Sequence, residues 1–195
     1  MKPRNTSTIT SHLPPHLPTS HIHRVLTSPQ LIMTSTYNSD SDIKQLALAT
    51  LASYADALTR GAASSLPIRE ISSQMAKYYL PGCTAFTLRT ITPFPDEEFA
   101  SSMIQSQLER FVSLGVGINM RLEEARIEVI SQTSAACWAT FSVSIKNGEG
   151  WSWTNVYGFR MVEGRENGLK GGWEWVNGDG EMVELLGRYP NAMEH

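Results

Sequence analysis

Asn155 interrupts a row of aromatic residues, Trp151, Trp153, Tyr157 and Phe159, that recur at alternate positions. In a strand, alternate residues share a face. A primary amide on such a face needs hydrogen-bond partners from the protein, from water or from a ligand. Tyr54 poses a similar question on a helix. It falls on the stripe Ile43, Ala47, Leu51, Tyr54 and Leu58, spaced as one apolar side of an amphipathic helix. A phenol buried there keeps a hydroxyl to satisfy, within the core or toward a ligand.

The remaining chemistry is sparse. The five histidines are His12, His16, His21, His23 and His195, so residues 24–194 have no imidazole, the commonest general base near neutral pH. The four early histidines lie where no fold is expected to fix a metal geometry. Cys83 and Cys137 lack a histidine or second cysteine at ligand spacing. They fall in predicted strands and read as buried thiols of a reducing, cytoplasmic compartment. There is no glycine-rich phosphate motif. No metal and no cofactor is expected. Among carboxylates, Asp56 follows Tyr54 by two positions and points away from the helix stripe. Glu124 and Glu128 share a strand face, turned to a cavity or to solvent. Glu174 alternates with Trp173 and Trp175 and faces away from both.

The elements that must position these residues follow from pattern. Residues 136–161, ACWATFSVSIKNGEGWSWTNVYGFRM, read as strand, turn, strand. Cys137, Ala139, Phe141, Val143 and Ile145 share the apolar face of the first strand. A three-residue loop, Gly148-Glu149-Gly150, pairs Val143 with Asn155 and Phe141 with Tyr157, brings both apolar faces together and gives Gly150 a left-handed role. Before the hairpin, helices are expected over 43–59, ended by Gly61, and from Pro67 to about residue 79, with Pro81-Gly82 as a break. A short strand is expected over 84–90, then a loop stiffened by Pro93 and Pro95. A third helix follows over 97–114, with Phe99, Met103, Leu108, Phe111 and Val112 as its apolar side and Asp96, Glu97 and Glu98 in its first turn. A long strand is expected over 118–131, bulged near Glu123-Glu124. After the hairpin come a strand over 172–177 and a short closing helix over 179–186.

Length, charge and hydropathy bound the function. The chain has 195 residues, is 41% hydrophobic and carries a net charge of -3. That suits one ordinary domain, without a basic stripe for nucleic acid or an apolar run for a membrane. Residues 1–40 differ, being rich in Ser, Thr, Pro and His, with Lys2, Arg4 and Arg24 against one acid, Asp40. They read as a disordered tail, as a stretch preceding a start at Met33, or as a transit peptide. The domain is expected over 41–190, with a short tail at 191–195.

This order of elements resembles the NTF2-like cone: an α+β fold whose curved antiparallel sheet wraps around three helices and leaves a pocket between them. The stretch Tyr54-Ala55-Asp56-Ala57-Leu58-Thr59-Arg60-Gly61 resembles the end of that superfamily's first helix. Residues 151–160, WSWTNVYGFR, with 172–176, GWEWV, resemble fungal SnoaL-like proteins. The likeness covers 42–190. It implies a pocket for a small hydrophobic molecule and a homodimer through the outer sheet face, to which Trp138 or Trp151 would contribute. Motifs, charge and hydropathy, not the resemblance, give the expectation of no cofactor, nucleic acid or membrane partner. Members range from steroid isomerases, polyketide cyclases and dehydratases to transport factors and proteins without chemistry, so fold does not assign activity.

Against that family, Tyr54 matches the tyrosine that donates to the substrate oxyanion in ketosteroid isomerases, which makes it the candidate catalytic residue beside its reading as a core tyrosine. The isomerase base is missing, because residues 83–89, CTAFTLR, hold no Asp or Glu. The dehydratase histidine is missing too. The expectation is therefore a small-molecule-binding protein, with a cofactor-independent cyclase, isomerase or dehydratase of fungal polyketide or terpenoid metabolism as the alternative. Helix stripe and hairpin face must pack together, so Tyr54, Asn155 and Tyr157 should line one cavity walled by Phe86, Trp153 and Phe159.

Overall fold

The computed structural model describes residues 39–145 and 148–194. The expected tail up to residue 38, and Asn147 of the hairpin turn, lie outside the described residues. The described elements all belong to the unit Ser35–His195.

The elements are α1 (Asp40–Ala63), α2 (Ile68–Ala76), β1 (Tyr79–Thr87), β2 (Thr90–Phe94), α3 (Glu97–Ser113), β3 (Met120–Ser131), β4 (Ser134–Val143), β5 (Trp151–Met161), β6 (Gly171–Asn177) and α4 (Asp179–Arg188). One six-stranded sheet runs in the order β2-β1-β6-β5-β4-β3. The fold is α+β as expected, but the sheet is mixed, because β1 pairs with β6 in parallel. The apolar side chains of α1, α2 and α3 form one core with the inner sheet face.

Local chemistry sets the helix ends. The Ser39 hydroxyl accepts from the Asp42 N–H, and the Asp96 carboxylate accepts from the Phe99 N–H at 2.8 Å, so both caps satisfy donors left open by the first turn. Gly61 does not end α1. It lies inside the helix and faces α2, where an added methyl would sit 2.6 Å from Ile71 Cγ2. The glycine is a contact point rather than a stop. On α3 the buried stripe is Ala100, Ile104, Leu108 and Phe111, whereas Phe99, Met103 and Val112 are exposed. The helix is turned from the expected face, and Leu108 and Phe111 alone are shared.

The segment after α2 is the least like its expectation. Residues 78–79 leave the helix, and Tyr79 opens β1. Pro81-Gly82 lies within that strand, where the register against β6 shifts between Tyr79 and Thr84. Leu88 and Arg89 make a two-residue turn with φ of 45° and 72°. The chain then returns as edge strand β2 through Pro93, which needs no ladder donor at an edge. Left-handed backbone strains two residues that both carry a Cβ. The turn is held from outside, since Asp179 Oδ1 accepts from the Leu88 N–H at 2.6 Å.

The β4–β5 hairpin keeps the expected faces in a different register. Val143 pairs with Trp151, Phe141 with Trp153, Ala139 with Asn155, Cys137 with Tyr157 and Ala135 with Phe159. Small residues oppose large ones, which lets the β5 aromatics fill the cone. The three-residue loop would have set Phe141 on Tyr157 instead. Gly150 has no left-handed backbone; its missing Cβ leaves room for the Val143 carbonyl. The bulge near Glu123-Glu124 is present, as the β3–β4 register shifts between Leu122 and Glu124. A further shift, between Gly158 and Phe159 on β5, pairs Gly158 with Trp175 and Phe159 with Trp173. Trp173 is consequently fully buried, while Trp175 lies over Gly158, so these two do not share a face.

Helix α4 closes the cone against β5. Gly180 lies so near the Thr154 carbonyl that a Cβ there would overlap backbone. Gly180→Ala should therefore lower stability by about 2 kcal/mol, although alanine favours a helix by about 1 kcal/mol over glycine. Chemical denaturation checks this, and a more stable variant would show that α4 is free to shift.

Candidate functional site

A cavity of about 420 Å³ lies between α1, α3, the β1–β2 hairpin, β5 and α4. Leu58, Met75, Phe94, Leu108, Phe111, Phe141 and Val176 give it apolar walls. Into this space project Tyr54, Tyr79, Tyr157, Asn155, Trp153, Gln107, Arg110 and Glu181. Each is placed by its element. Tyr54 rides the buried stripe of α1. Trp153, Asn155 and Tyr157 take alternate positions on β5. Gln107 and Arg110 follow the inner side of α3, and Glu181 enters from the first turn of α4.

The tyrosines form one group. The Tyr54 and Tyr79 hydroxyl oxygens are 3.2 Å apart. The Tyr54 ring meets Tyr157 at 5.8 Å and Trp173 at 6.0 Å between centroids. Burial raises the pKa of all three phenols well above the usual value, with neighbouring phenols and the Glu181 charge adding to it. They stay protonated and serve as neutral donors and acceptors.

Glu181 is the charged member. Asn155 Nδ2 donates to its Oε2 at 2.8 Å, and Gln107 Nε2 donates to its Oε1 at 2.5 Å. Loss of water pushes its pKa up, while the Asn155 and Gln107 amides, the Arg110 charge and the Trp153 N–H pull it partly back. The indole acts on the carboxylate from beyond hydrogen-bond geometry. The site thus holds a carboxyl with raised proton affinity beside three neutral phenols. Such a group can give or take a proton closer to neutral pH than an ordinary glutamate. Among the described residues, three buried polar side-chain atoms make no hydrogen bond: Trp173 Nε1, outside the cavity lining, and two within it. Asn155 Oδ1 and Trp153 Nε1 are buried without a hydrogen-bond partner.

Comparison with known proteins agrees with this architecture. Among solved structures, a domain of unknown function with a cystatin-like fold from Nostoc punctiforme PCC 73102 matches over 79% of this chain and 88% of its own, at 14% identity and a TM-score of 0.51. An NTF2-like protein with a cystatin-like fold from Novosphingobium aromaticivorans matches over 70% and 80%, at 11% identity and a TM-score of 0.49. An NTF2-like protein of unknown function from Shewanella oneidensis MR-1 matches over 68% and 95%, at 10% identity and a TM-score of 0.48. No protein-family model and no curated protein matches the chain. The fold is α+β and shares its architecture with a cystatin-like fold.

Within this domain, Tyr54, Trp153, Asn155 and Tyr157 all line the cavity. Phe86 and Phe159 do not. Phe86 alternates with Ala85 and Thr87, which face the cavity, and is itself exposed. Phe159 is buried deeper, packed on Trp173 and over Gly171. Glu124 and Glu128 are exposed, and Glu128 pairs with Arg126, so neither faces the cavity. Asp56 is solvated and pairs with Arg60 at 3.0 Å. Glu174 pairs with Arg160 at 2.8 Å. Cys83 and Cys137 are free and buried, and burial raises each thiol to about 12. Among the described residues no cluster of metal-ligand types occurs, and no helix is long and apolar enough to cross a membrane.

Sequence reasoning missed Glu181, Gln107 and Tyr79. Glu181 carried a faint signal. It lies four residues before Leu185 on the closing helix, so the two share a side. Leu185 is buried, and that side faces inward.

The raised carboxyl has a definite consequence for stability. Glu181 has a higher pKa folded than unfolded, so between the two values the folded chain holds a proton that the unfolded chain has lost. Stability therefore falls as pH rises from the ordinary glutamate range toward the raised value, and then levels. Glu181→Gln cannot titrate. The stability of wild type minus that of Glu181→Gln, measured in urea across pH 4 to 8, should decline with pH. An increase would show that the fold prefers the charged form.

Proposed function

We propose that the chain binds a small hydrophobic molecule in this cavity. The observation that carries the reading is an apolar chamber in which a buried amide oxygen and a buried indole N–H have no partner inside the protein. Buried polar atoms are ordinarily satisfied, and an unmet one costs about 1–3 kcal/mol. A ligand that completes them recovers that cost, and apolar walls with few converging polar groups describe a small-molecule site. Tyr54, Trp153, Asn155 and Tyr157 are the proposed contacts. Phe86 and Phe159 have no place in it.

A second reading, a cofactor-independent isomerase, cyclase or dehydratase, is favoured by Glu181. The resemblance to fungal SnoaL-like proteins points to polyketide- or terpenoid-like substrates. The carboxylate absent from residues 83–89 has a counterpart here, delivered by α4. Glu181 would move the proton, and the Tyr54–Tyr79 pair would donate to oxygen.

Melting curves with and without a library of apolar ring compounds test the binding reading. A wild-type shift that Tyr54→Phe or Asn155→Leu reduces is the expected result. Tyr54→Phe alone should cost no more than about 1 kcal/mol, since it loses one hydroxyl contact and little volume. Absence of any shift in wild type would count against the cavity as a binding site.

We also propose a homodimer through the outer sheet face. Trp138 and the 64%-exposed Ile130 belong to that face, with Arg126 stacked 3.8 Å over the Trp138 ring. Trp151 does not contribute, because it is buried on the inner side against Trp153 and Tyr189. Sedimentation at micromolar concentration should give a dimer that Trp138→Glu dissociates. A wild-type monomer throughout would refute it.

A further inference from the structure

The two partnerless atoms constrain the chemistry of the occupant, and this inference rests on the binding reading above. Trp153 and Asn155 are two apart on one strand face, so their side chains stand side by side, about 7 Å apart at the backbone. Each is at least nine-tenths buried. Asn155 Nδ2 is committed to Glu181 Oε2 at 2.8 Å, which leaves Oδ1 as an acceptor in need of a hydrogen. Trp153 Nε1 can only donate; it acts on the Glu181 carboxylate but lies outside hydrogen-bond geometry to it. A partner for Asn155 Oδ1 must give a hydrogen, and a partner for Trp153 Nε1 must accept one.

We propose that the cavity selects a neutral, hydroxyl-bearing ring compound, whose O–H donates to Asn155 Oδ1 and whose oxygen accepts from Trp153 Nε1. A hydroxyl is the smallest group that does both. A ketone or ether can answer the indole but has no hydrogen for the amide oxygen. A carboxylate has none either, and it would enter beside the Glu181 carboxyl. The stacked rings of Phe111, Phe141 and Trp153, at 6.3 Å between centroids, offer flat apolar surface to the rest of the molecule. The cation that also lines the cavity, Arg110, offsets part of the Glu181 charge.

Calorimetric titration at neutral pH with 2-naphthol, naphthalene and 2-naphthoate separates these cases on one ring system. The expected order is naphthol about tenfold tighter than naphthalene, with naphthoate weaker than naphthol. Trp153→Phe keeps an aromatic ring and removes the N–H, so it should shrink the naphthol preference to about threefold or less. Asn155→Leu should do the same where it folds. Naphthalene binding as well as naphthol would overturn the selection and leave the hydrophobic cavity standing. Naphthoate binding tightest would overturn it in favour of an anion held by Arg110. A naphthol preference that survives Trp153→Phe intact would remove the indole from the site. If no probe binds, the selection and the binding reading both fall.

Discussion

Three elements meet at one half-buried carboxylate, that of Glu181. Taking an ionised carboxyl from water into a protein interior costs several kcal/mol unless fixed dipoles replace its hydration. For Glu181 those dipoles come from two different elements, Asn155 on β5 and Gln107 on α3. Neither is close in sequence to Glu181, so the carboxylate is solvated only when sheet, third helix and closing helix are all assembled. Helix α4 is also held tightly against β5. Gly180 admits the Thr154 carbonyl, and Asp179 holds the strained Leu88–Arg89 turn while its N–H donates to Asn177 Oδ1 at 3.1 Å. The first turn of α4 thus docks on three neighbours before Glu181 reaches the cavity.

The rest of the chamber is arranged by size. On β4 the small Ala135, Cys137 and Ala139 oppose Phe159, Tyr157 and Asn155 on β5. Only where β4 presents Phe141 and Val143 do large residues meet Trp153 and Trp151. The β5 side chains therefore lean into the cone at one end and stack against Phe141 at the other. Tyr54 descends from α1 into the space over the small residues, with edge-on contacts to Tyr78, Tyr79 and Trp173. Its hydroxyl finds that of Tyr79, and that of Tyr78 finds Ser53 Oγ at 2.7 Å. The phenols are thus mostly satisfied within the protein, unlike Asn155 Oδ1 and Trp153 Nε1.

Legibility in the sequence is a matter of range. The stripe of α1, the two faces of the hairpin and the bulge at Glu123-Glu124 are local patterns, and they are present. The hairpin register was not legible, because face alternation fixes only its parity. The choice among odd loops is made by volume, with Cys137 rather than Phe141 opposite Tyr157. The opposite side of Trp173 and Trp175 depends on one extra residue in β6. Likewise Gly61 and Gly150 read as local breakers, yet their small size serves contacts with Ile71 and with Val143, which no local window contains. Tyr54, Trp153, Asn155 and Tyr157 were legible as cavity residues because stripe and strand face must meet. Glu181 was not, since a glutamate near the start of a short helix is ordinarily a surface charge favoured by the helix dipole.

Stability alone gives no reason for the site to be built this way. A leucine in place of Asn155 would bury more apolar surface and leave no amide oxygen without a donor. A phenylalanine in place of Trp153 would fill much of the same wall without an unmet N–H. Glu181 could be any apolar residue that continues the Met182–Leu185 face. Substituted together, the three would trade a desolvated charge and two unmet polar atoms for hydrocarbon, a change that is often neutral or stabilising in buried sites. Substituted singly they would not, because removing Asn155 alone strips Glu181 of a donor. The three form a unit whose members make sense only together, and all three line the cavity. This network closes around Glu181 and leaves Asn155 Oδ1 and Trp153 Nε1 without a hydrogen bond, so its composition follows from neither close packing nor full polar satisfaction.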